Sequence, residues 1–213
     1  MSTHFKIAIL GAGSVGSTLG ELWARKGHTV VFGVPDPAGQ KMKETLGRIK
    51  GATAANNAQA ATGADVVAVC VPWPAAEQAI RSAGDLKGKV VIDCTNPLAN
   101  DLSGLLVGVT TPAAEMVAGW APGAKVVKAF NTIGAADYGN ARFGPEVADG
   151  FYCGDDAAAK ATVKSLIEDT ALHPVDVGPL KNARLLEPMA MLWIDLAVNQ
   201  HQGINHGFKL LRR

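Results

Sequence analysis

The chain has 213 residues, 48% of them hydrophobic and 18% charged, with a formal net charge of +1. That is enough for one domain with a buried core, or for a domain with a small appendage. The balanced charge leaves no basic footprint for nucleic acid or an acidic membrane surface, and no apolar run is long enough to span a bilayer.

The first predicted strand, Lys6–Leu10, runs straight into Gly11-Ala12-Gly13-Ser14-Val15-Gly16. A helical pattern follows, with Val15, Leu19, Leu22 and Trp23 on one face. In this strand–turn–helix setting each glycine of the G-x-G-x-x-G run has a mechanical reason. Gly11 permits the tight turn, Gly13 has no side chain to hold a pyrophosphate away from the backbone, and Gly16 lets the helix pack on the strand. The helix start offers unpaired N–H groups and a positive dipole end to an anion. The loop therefore predicts a bound dinucleotide, with Gly11, Ala12, Gly13, Ser14, Val15 and Gly16 around the pyrophosphate.

Further along come a strand at Thr29–Phe32, a polar helix at Lys41–Leu46, a short strand near Ala52–Ala55, an Ala-rich helical stub and a nearly continuous apolar strand at Asp65–Val71. Pro72-Trp73-Pro74 ends that strand and opens a helix to about Ser82. Strands at Val90–Cys94 and Lys125–Phe130 flank a short helix at Ala113–Ala118, and residues 134–150 read as loop. A strand at Phe151–Gly154 precedes a helix capped by Asp155 or Asp156 and running to about Asp169; a last strand follows at Val175–Val177. From Asn182 a long helix places Leu185, Leu186, Met189, Leu192, Trp193 and Leu196 on a wide apolar face, with Pro188 in or near its first turns.

This alternation predicts an α/β fold: a Rossmann-type doubly wound, mainly parallel sheet of about eight strands with a C-terminal helical extension. A dinucleotide-binding domain would span residues 1–134, and a smaller part, 135–213, would complete the sheet and an acceptor cleft. The last helix has more apolar face than one sheet edge covers, which predicts a homodimer with Leu192 or Trp193 at the contact. The three cysteines, Cys70, Cys94 and Cys153, have no metal spacing and an odd count, and the N-terminus has no signal-peptide pattern. Together these predict buried free thiols, a cytoplasmic location and no resident metal.

At the end of the second strand a ribose-binding acid is expected, but the chain reads Gly33-Val34-Pro35-Asp36. Asp36 fits the spacing of a ribose ligand and equally a Pro-Asp-Pro turn. Lys41 and Lys43 are placed either to reach a 2′-phosphate or to lie solvated, so NADP and NAD both stay open. Ligands of such sheets bind outside the carboxyl ends of the strands, which read Val71-Pro72-Trp73, Thr95-Asn96-Pro97 and Asn131-Thr132-Ile133-Gly134. Trp73 either borders the adenosine or fills a gap between helix and sheet. Asn96 and Asn131 either terminate their strands or meet the nicotinamide and the hydride acceptor.

None of His4, His28, His173, His201 and His206 stands in a catalytic context, and Lys128 reads as a buried mid-strand residue. No residue is assigned an acid–base role. That suits hydride exchange between a nicotinamide and a flavin-like ring, where the cofactors carry the chemistry. Reduction of a small imine or keto acid needs a placed proton donor and is the second reading; a nucleotide-binding protein without turnover is the third.

Nearly the whole chain resembles the coenzyme F-420:NADP oxidoreductases, which reduce a deazaflavin, and is related to the cytosolic domain of six-transmembrane ferric reductases. The resemblance is carried by residues 9–16, Gly27–Gly33, Val71-Pro72-Trp73, Val127–Ile133, Cys153–Asp156 and Asp176–Glu187. It implies a homodimer that binds NADP together with a deazaflavin or flavin co-substrate. Asn131, Thr132 and Ile133 would floor the acceptor cleft, and Gly178, Pro179 and Leu180 would lie near its rim. The chain departs from the family pattern at Val34 and Pro35, where members carry Ser or Thr and then Arg, and at Asn131, where classical archaeal members carry His.

Overall fold

The computed structural model describes residues 3–99, 101–108 and 111–213. Its first half alternates strands and helices: β1 (Lys6–Leu10), α1 (Ser14–Arg25), β2 (Thr29–Gly33), α2 (Gln40–Arg48), β3 (Thr53–Ala55), α3 (Asn57–Ala61), β4 (Val66–Val69), α4 (Trp73–Ser82), β5 (Val90–Asp93), α5 (Ala113–Trp120) and β6 (Lys125–Lys128). After β6 come a small hairpin, β7 (Arg142–Phe143) and β8 (Glu146–Val147), then β9 (Asp149–Gly154), α6 (Ala157–Glu168), β10 (His173–Asp176) and α7 (Ala183–Ile194).

Eight strands form one sheet in the order β10-β9-β6-β5-β4-β1-β2-β3. The order reverses between β1 and β4, so the chain is doubly wound from that point, where a cleft opens at the carboxyl ends. β1 to β6 are parallel to their neighbours, whereas β9 runs against β6, with Val127 opposite Gly154 and Lys128 opposite Cys153. β10 then pairs parallel to β9. The central strands are buried on both faces, which is why β4 reads Val-Val-Ala-Val without alternation. One core layer lies under α1, α2 and α6, the other under α3, α4, α5 and α7. The Trp23 indole donates to Leu166 O at 3.1 Å and ties α1 to α6.

Three local differences from the sequence expectations have physical reasons. β4 ends at Val69 and not Val71, because Cys70 and Val71 turn to pack against Gly11. β6 ends at Lys128 and not Phe130, because Phe130 takes a left-handed φ of 63° and turns the chain out of the sheet. The segment 134–150 is not all loop: it holds the β7–β8 hairpin and a short 3₁₀ turn, Ala135–Asp137.

α7 carries its apolar residues on two sides. Leu186 and Ala190 are buried, while Leu185 and Leu192 stand 62% and 51% exposed. Adjacent helix positions differ by about 100°, so Leu185 and Leu186 cannot both face inward. Pro188 lies inside the helix. Beyond a π-helical turn, Asp195–Asn199, the chain crosses back over the start of β9. There Asp149 accepts hydrogen bonds from Lys209 Nζ at 2.9 Å and from Leu210 N at 2.6 Å, and pairs with His173 Nδ1 at 2.8 Å. Among the described residues, no helix is long and apolar enough to cross a membrane.

Candidate functional site

The glycine loop is built as its spacing requires. Gly11 has φ +100°, and a Cβ there would meet Cys70 O at 2.6 Å and Val71 Cγ1 at 2.8 Å. At Gly16 a Cβ would lie 2.3 Å from Gly11 O, so close helix–strand packing demands glycine. Gly13 differs: it is the N-cap of α1, and no heavy atom of the described residues lies within 4 Å of the position its Cβ would take. Ser14 is exposed, Ala12 and Val15 are half-buried, and the first turn of α1 contains no acidic side chain. Open space thus faces a helix N-terminus whose first N–H groups point outward, the arrangement that receives a pyrophosphate.

Beside the loop lies a cavity of about 530 Å³ at the carboxyl ends of β1 and β2. Gly11, Gly33, Val34 and Val71 line it as expected, joined by Pro35, Asn56, Asn57, Gln78 and Ser82. A Cβ at position 33 would meet Asn57 Oδ1 at 2.7 Å, Leu10 Cδ2 at 2.9 Å and the Asn57 backbone at 3.2 Å, so the end of β2 is held to glycine and carries no carboxylate. Asn57 Nδ2 donates to Ser82 Oγ at 2.8 Å and ties α3 to α4 across the cavity wall. Asn56 caps α3 through Gln59 N at 2.9 Å. These residues lie on elements remote from the glycine loop in sequence. The only local signal for them was Asn-Asn before an Ala-rich stub.

Asp36 is exposed in a turn closed by Gly39 N donating to Asp36 O at 3.3 Å, outside the cavity lining. Lys41 is exposed on the first turn of α2. Pro72 is exposed, and the Trp73 ring packs on Trp120 with centroids 5.2 Å apart.

At the ends of β5 and β6, Asn96 and Asn131 form a reciprocal pair. Asn96 Nδ2 donates to Asn131 O at 3.1 Å, and Asn131 Nδ2 donates to Asn96 Oδ1 and to Leu186 O, each at 3.1 Å. Asn131 Oδ1 is buried and has no hydrogen-bond partner among the described residues. Thr132 and Ile133 are buried as well. Gly178, Pro179 and Leu180 are not brought to this place. Gly154 N donates to Gly178 O, and Gly154 pairs with Val127 inside β6, four residues before Asn131. The reversed direction of β9 carries them there. Pro179 is exposed, and Leu180 is buried in the core beneath α5 and α7.

Sequence reasoning missed a polar cluster after the end of β6. Asp137 is buried, and its Oδ2 and His206 Nδ1 lack hydrogen-bond partners among the described residues. His206 stacks on Trp193 at 4.7 Å, and a Cβ at Gly134 would touch both the Trp193 ring and Asp137 Oδ2. Burial pushes the Asp137 carboxyl above its ordinary range, against the pull of His206. No local pattern could join residues 137, 193 and 206. His28 and His4 serve the frame: His28 accepts from Phe5 N and pairs with Asp169 at 3.0 Å, and His4 bonds Gly27 O.

Residues 6–97 match the family model described as NADP oxidoreductase, coenzyme F420-dependent. The chain is 29% identical over 191 residues to the metalloreductase STEAP3 of Rattus norvegicus, an alignment covering 87% of this chain and 36% of that protein. It therefore spans about a third of that relative's length. A solved structure of a candidate F420-dependent NADP-reductase from Arthrobacter sp. FB24 matches with a TM-score of 0.89 and 31% identity, covering 98% of this chain and 100% of that one. Hypothetical protein SMa0349 of Sinorhizobium meliloti matches with a TM-score of 0.72 and 30% identity over 84% of this chain and 86% of that one. A reductive aminase from Aspergillus terreus, at 19% identity and a TM-score of 0.68, covers 94% of this chain and 64% of that one and shares the fold alone.

Proposed function

The chain belongs to the coenzyme F420-dependent NADP oxidoreductase family, and we propose that it passes a hydride between NADP(H) and a flavin-like or deazaflavin ring. The observation that carries this reading is the open approach to Gly13 at the N-terminus of α1, two residues from Gly11, which lines a cavity with no carboxylate in its lining. When bound, NADPH supplies the hydride from its nicotinamide. The chain's own residues bind and orient. The free N–H groups of the loop after Gly11, whose own N–H is spent on Gly33 O, hold the pyrophosphate; Gly33, Val34, Asn56 and Asn57 border the adenosine, and Asn96 and Asn131 stand at the nicotinamide end. Missing the guanidinium that members carry at position 35, this chain holds a 2′-phosphate with Lys41, Lys43 and the start of α2 alone, so its preference for NADP over NAD is modest. The acceptor ring lies above Asn131, beneath α7.

The exposed Leu185 and Leu192, seven residues apart on α7, support a homodimer through that helix. The free cysteines support a reducing compartment such as the cytoplasm. A fluorescence titration with NADPH, followed by turnover with coenzyme F420, FMN and a panel of cyclic imines, tests the assignment. Reduction of the imines alone would replace it. A second reading, reduction of a small imine or keto acid, is favoured by Asp137: a buried carboxyl with a raised pKa stays protonated longer and can donate.

A further inference from the structure

A continuous polar network lies beneath the ends of β5 and β6. Lys128 Nζ is 2.9 Å from Asp93 Oδ2 and 3.5 Å from Glu187 Oε1, and it donates to Thr95 O at 2.5 Å. Lys128, Asp93 and Glu187 are fully buried. Asp93 Oδ1 accepts from Thr95 N at 2.9 Å and from the Thr95 hydroxyl at 2.7 Å. Glu187, on α7, accepts from the N–H groups of Ala113 at 3.0 Å and Ala114 at 3.2 Å, so it caps α5 from a neighbouring helix. The residue before it, Leu186, receives the Asn131 amide through its carbonyl at 3.1 Å. α7 is therefore pinned to the end of β6 at two consecutive residues.

Asp93 alone balances the charge of Lys128. Glu187 is a surplus carboxylate in a dry place, which is costly to keep there unless every lone pair is used. Its bonds go to Lys128 and to the positive end of α5, the two groups that fix the height and rotation of α7 over Asn131.

We propose that Glu187 is a positioning residue: anchored by Lys128 and the start of α5, it fixes Leu186 O and through it the Asn96–Asn131 amide pair, so that Asn131 Oδ1 is presented to the nicotinamide. This rests on the reading of the carboxyl edge as an NADP(H) site. The groups facing Glu187 are Lys128 from β6, Asp93 from β5, the amides of Ala113 and Ala114 from α5 and the Cys153 thiol from β9; on α7 itself, Arg184 turns away to Glu115 at the surface. Burial pushes the Glu187 carboxyl up, against the pull of Lys128 and the two amides, with Asp93 adding to the rise. Protonation and Glu187→Gln each remove the negative charge and leave one carbonyl oxygen to accept, so both loosen the anchor.

The test compares dissociation constants for NADPH and for 2′-phospho-ADP-ribose, which lacks the nicotinamide. In the wild type NADPH binds tighter by about tenfold, the worth of one hydrogen bond. In Glu187→Gln, which leaves Lys128 and Asp93 balanced, that advantage falls to near one while the fragment's affinity is unchanged. On acidification the wild-type ratio falls toward the variant's as Glu187 protonates, whereas the variant's ratio stays flat; the 2′-phosphate is common to both ligands and cancels. If neither ligand binds the wild type, the NADP(H) reading fails. If both bind and Glu187→Gln keeps the wild-type ratio, the positioning role fails and the cofactor reading stands. Should Glu187→Gln not fold, the wild-type pH series decides: a ratio that is flat with pH overturns the proposal.

Discussion

Replacing Gly13 by valine separates binding from folding. The backbone at Gly13 has φ −74° and ψ −170°, an extended conformation that suits a β-branched residue, and its Cβ would meet no heavy atom of the described residues within 4 Å. The fold therefore loses little, within about 1 kcal/mol for a surface substitution at an N-cap. The valine methyl groups fill the space from which a pyrophosphate reaches the loop amides. Charge-assisted hydrogen bonds are worth about 1.5–3 kcal/mol each, so losing two costs about 3–6 kcal/mol, or roughly 10²–10⁴-fold in affinity. Gly16→Ala is the matched control, because its Cβ would strike Gly11 O at 2.3 Å and Cys70 Cβ at 3.2 Å. It should lower stability by about 1–3 kcal/mol, as overpacking does. Fluorescence titration with NADPH and thermal melting of both variants read the two quantities. A Gly13→Val protein that melts like wild type and binds NADPH as tightly would refute the loop assignment.

Lys128→Met leaves two buried carboxylates facing each other and should lower the unfolding free energy by about 3–5 kcal/mol in urea titration, far more than Glu187→Gln. Asp137 has a raised folded pKa, so its contribution to stability is full below the ordinary aspartate range and is lost as the pH rises through the raised value. Asp137→Asn should therefore be more stable than wild type at neutral pH, with the difference vanishing on acidification; denaturant unfolding across a pH series checks it, and a difference constant with pH contradicts it. The same variant should leave hydride transfer to a flavin-like ring within about tenfold, whereas a loss of about 10²-fold or more would mark Asp137 as a proton donor. Pro35→Arg, at the cavity lip, should tighten NADPH about tenfold to a hundredfold and leave NADH unchanged, as measured by titration with each.

What the sequence made legible was local. The strand into Gly11–Gly16, the apolar strands and the winding order follow from patterns a few residues long, and so does the polarity of Asn96 and Asn131 where apolar strands stop. Strand direction was not legible: Phe151–Gly154 reads as a strand either way, and its reversal carries Gly178–Leu180 away from Asn131. Lys128 could be read as buried, but its partners lie 35 and 59 positions away on β5 and α7, and no periodicity names them. Asp137, Trp193 and His206 are joined only because the chain after α7 folds back over the end of β6. Asn57 is placed by α3 docking on β2, where it makes glycine obligatory at position 33.

Hydride transfer itself is read most directly by rapid-mixing oxidation of NADPH, unlabelled and deuterated at nicotinamide C4, in the presence of coenzyme F420 or FMN. The label should move to the acceptor ring, transfer should slow on deuteration, and Gly13→Val should abolish it at cofactor concentrations saturating for wild type. Tight NADPH binding with no transfer to either ring, but with rapid reduction of a small imine or keto acid that Asp137→Asn removes, would contradict the proposed function.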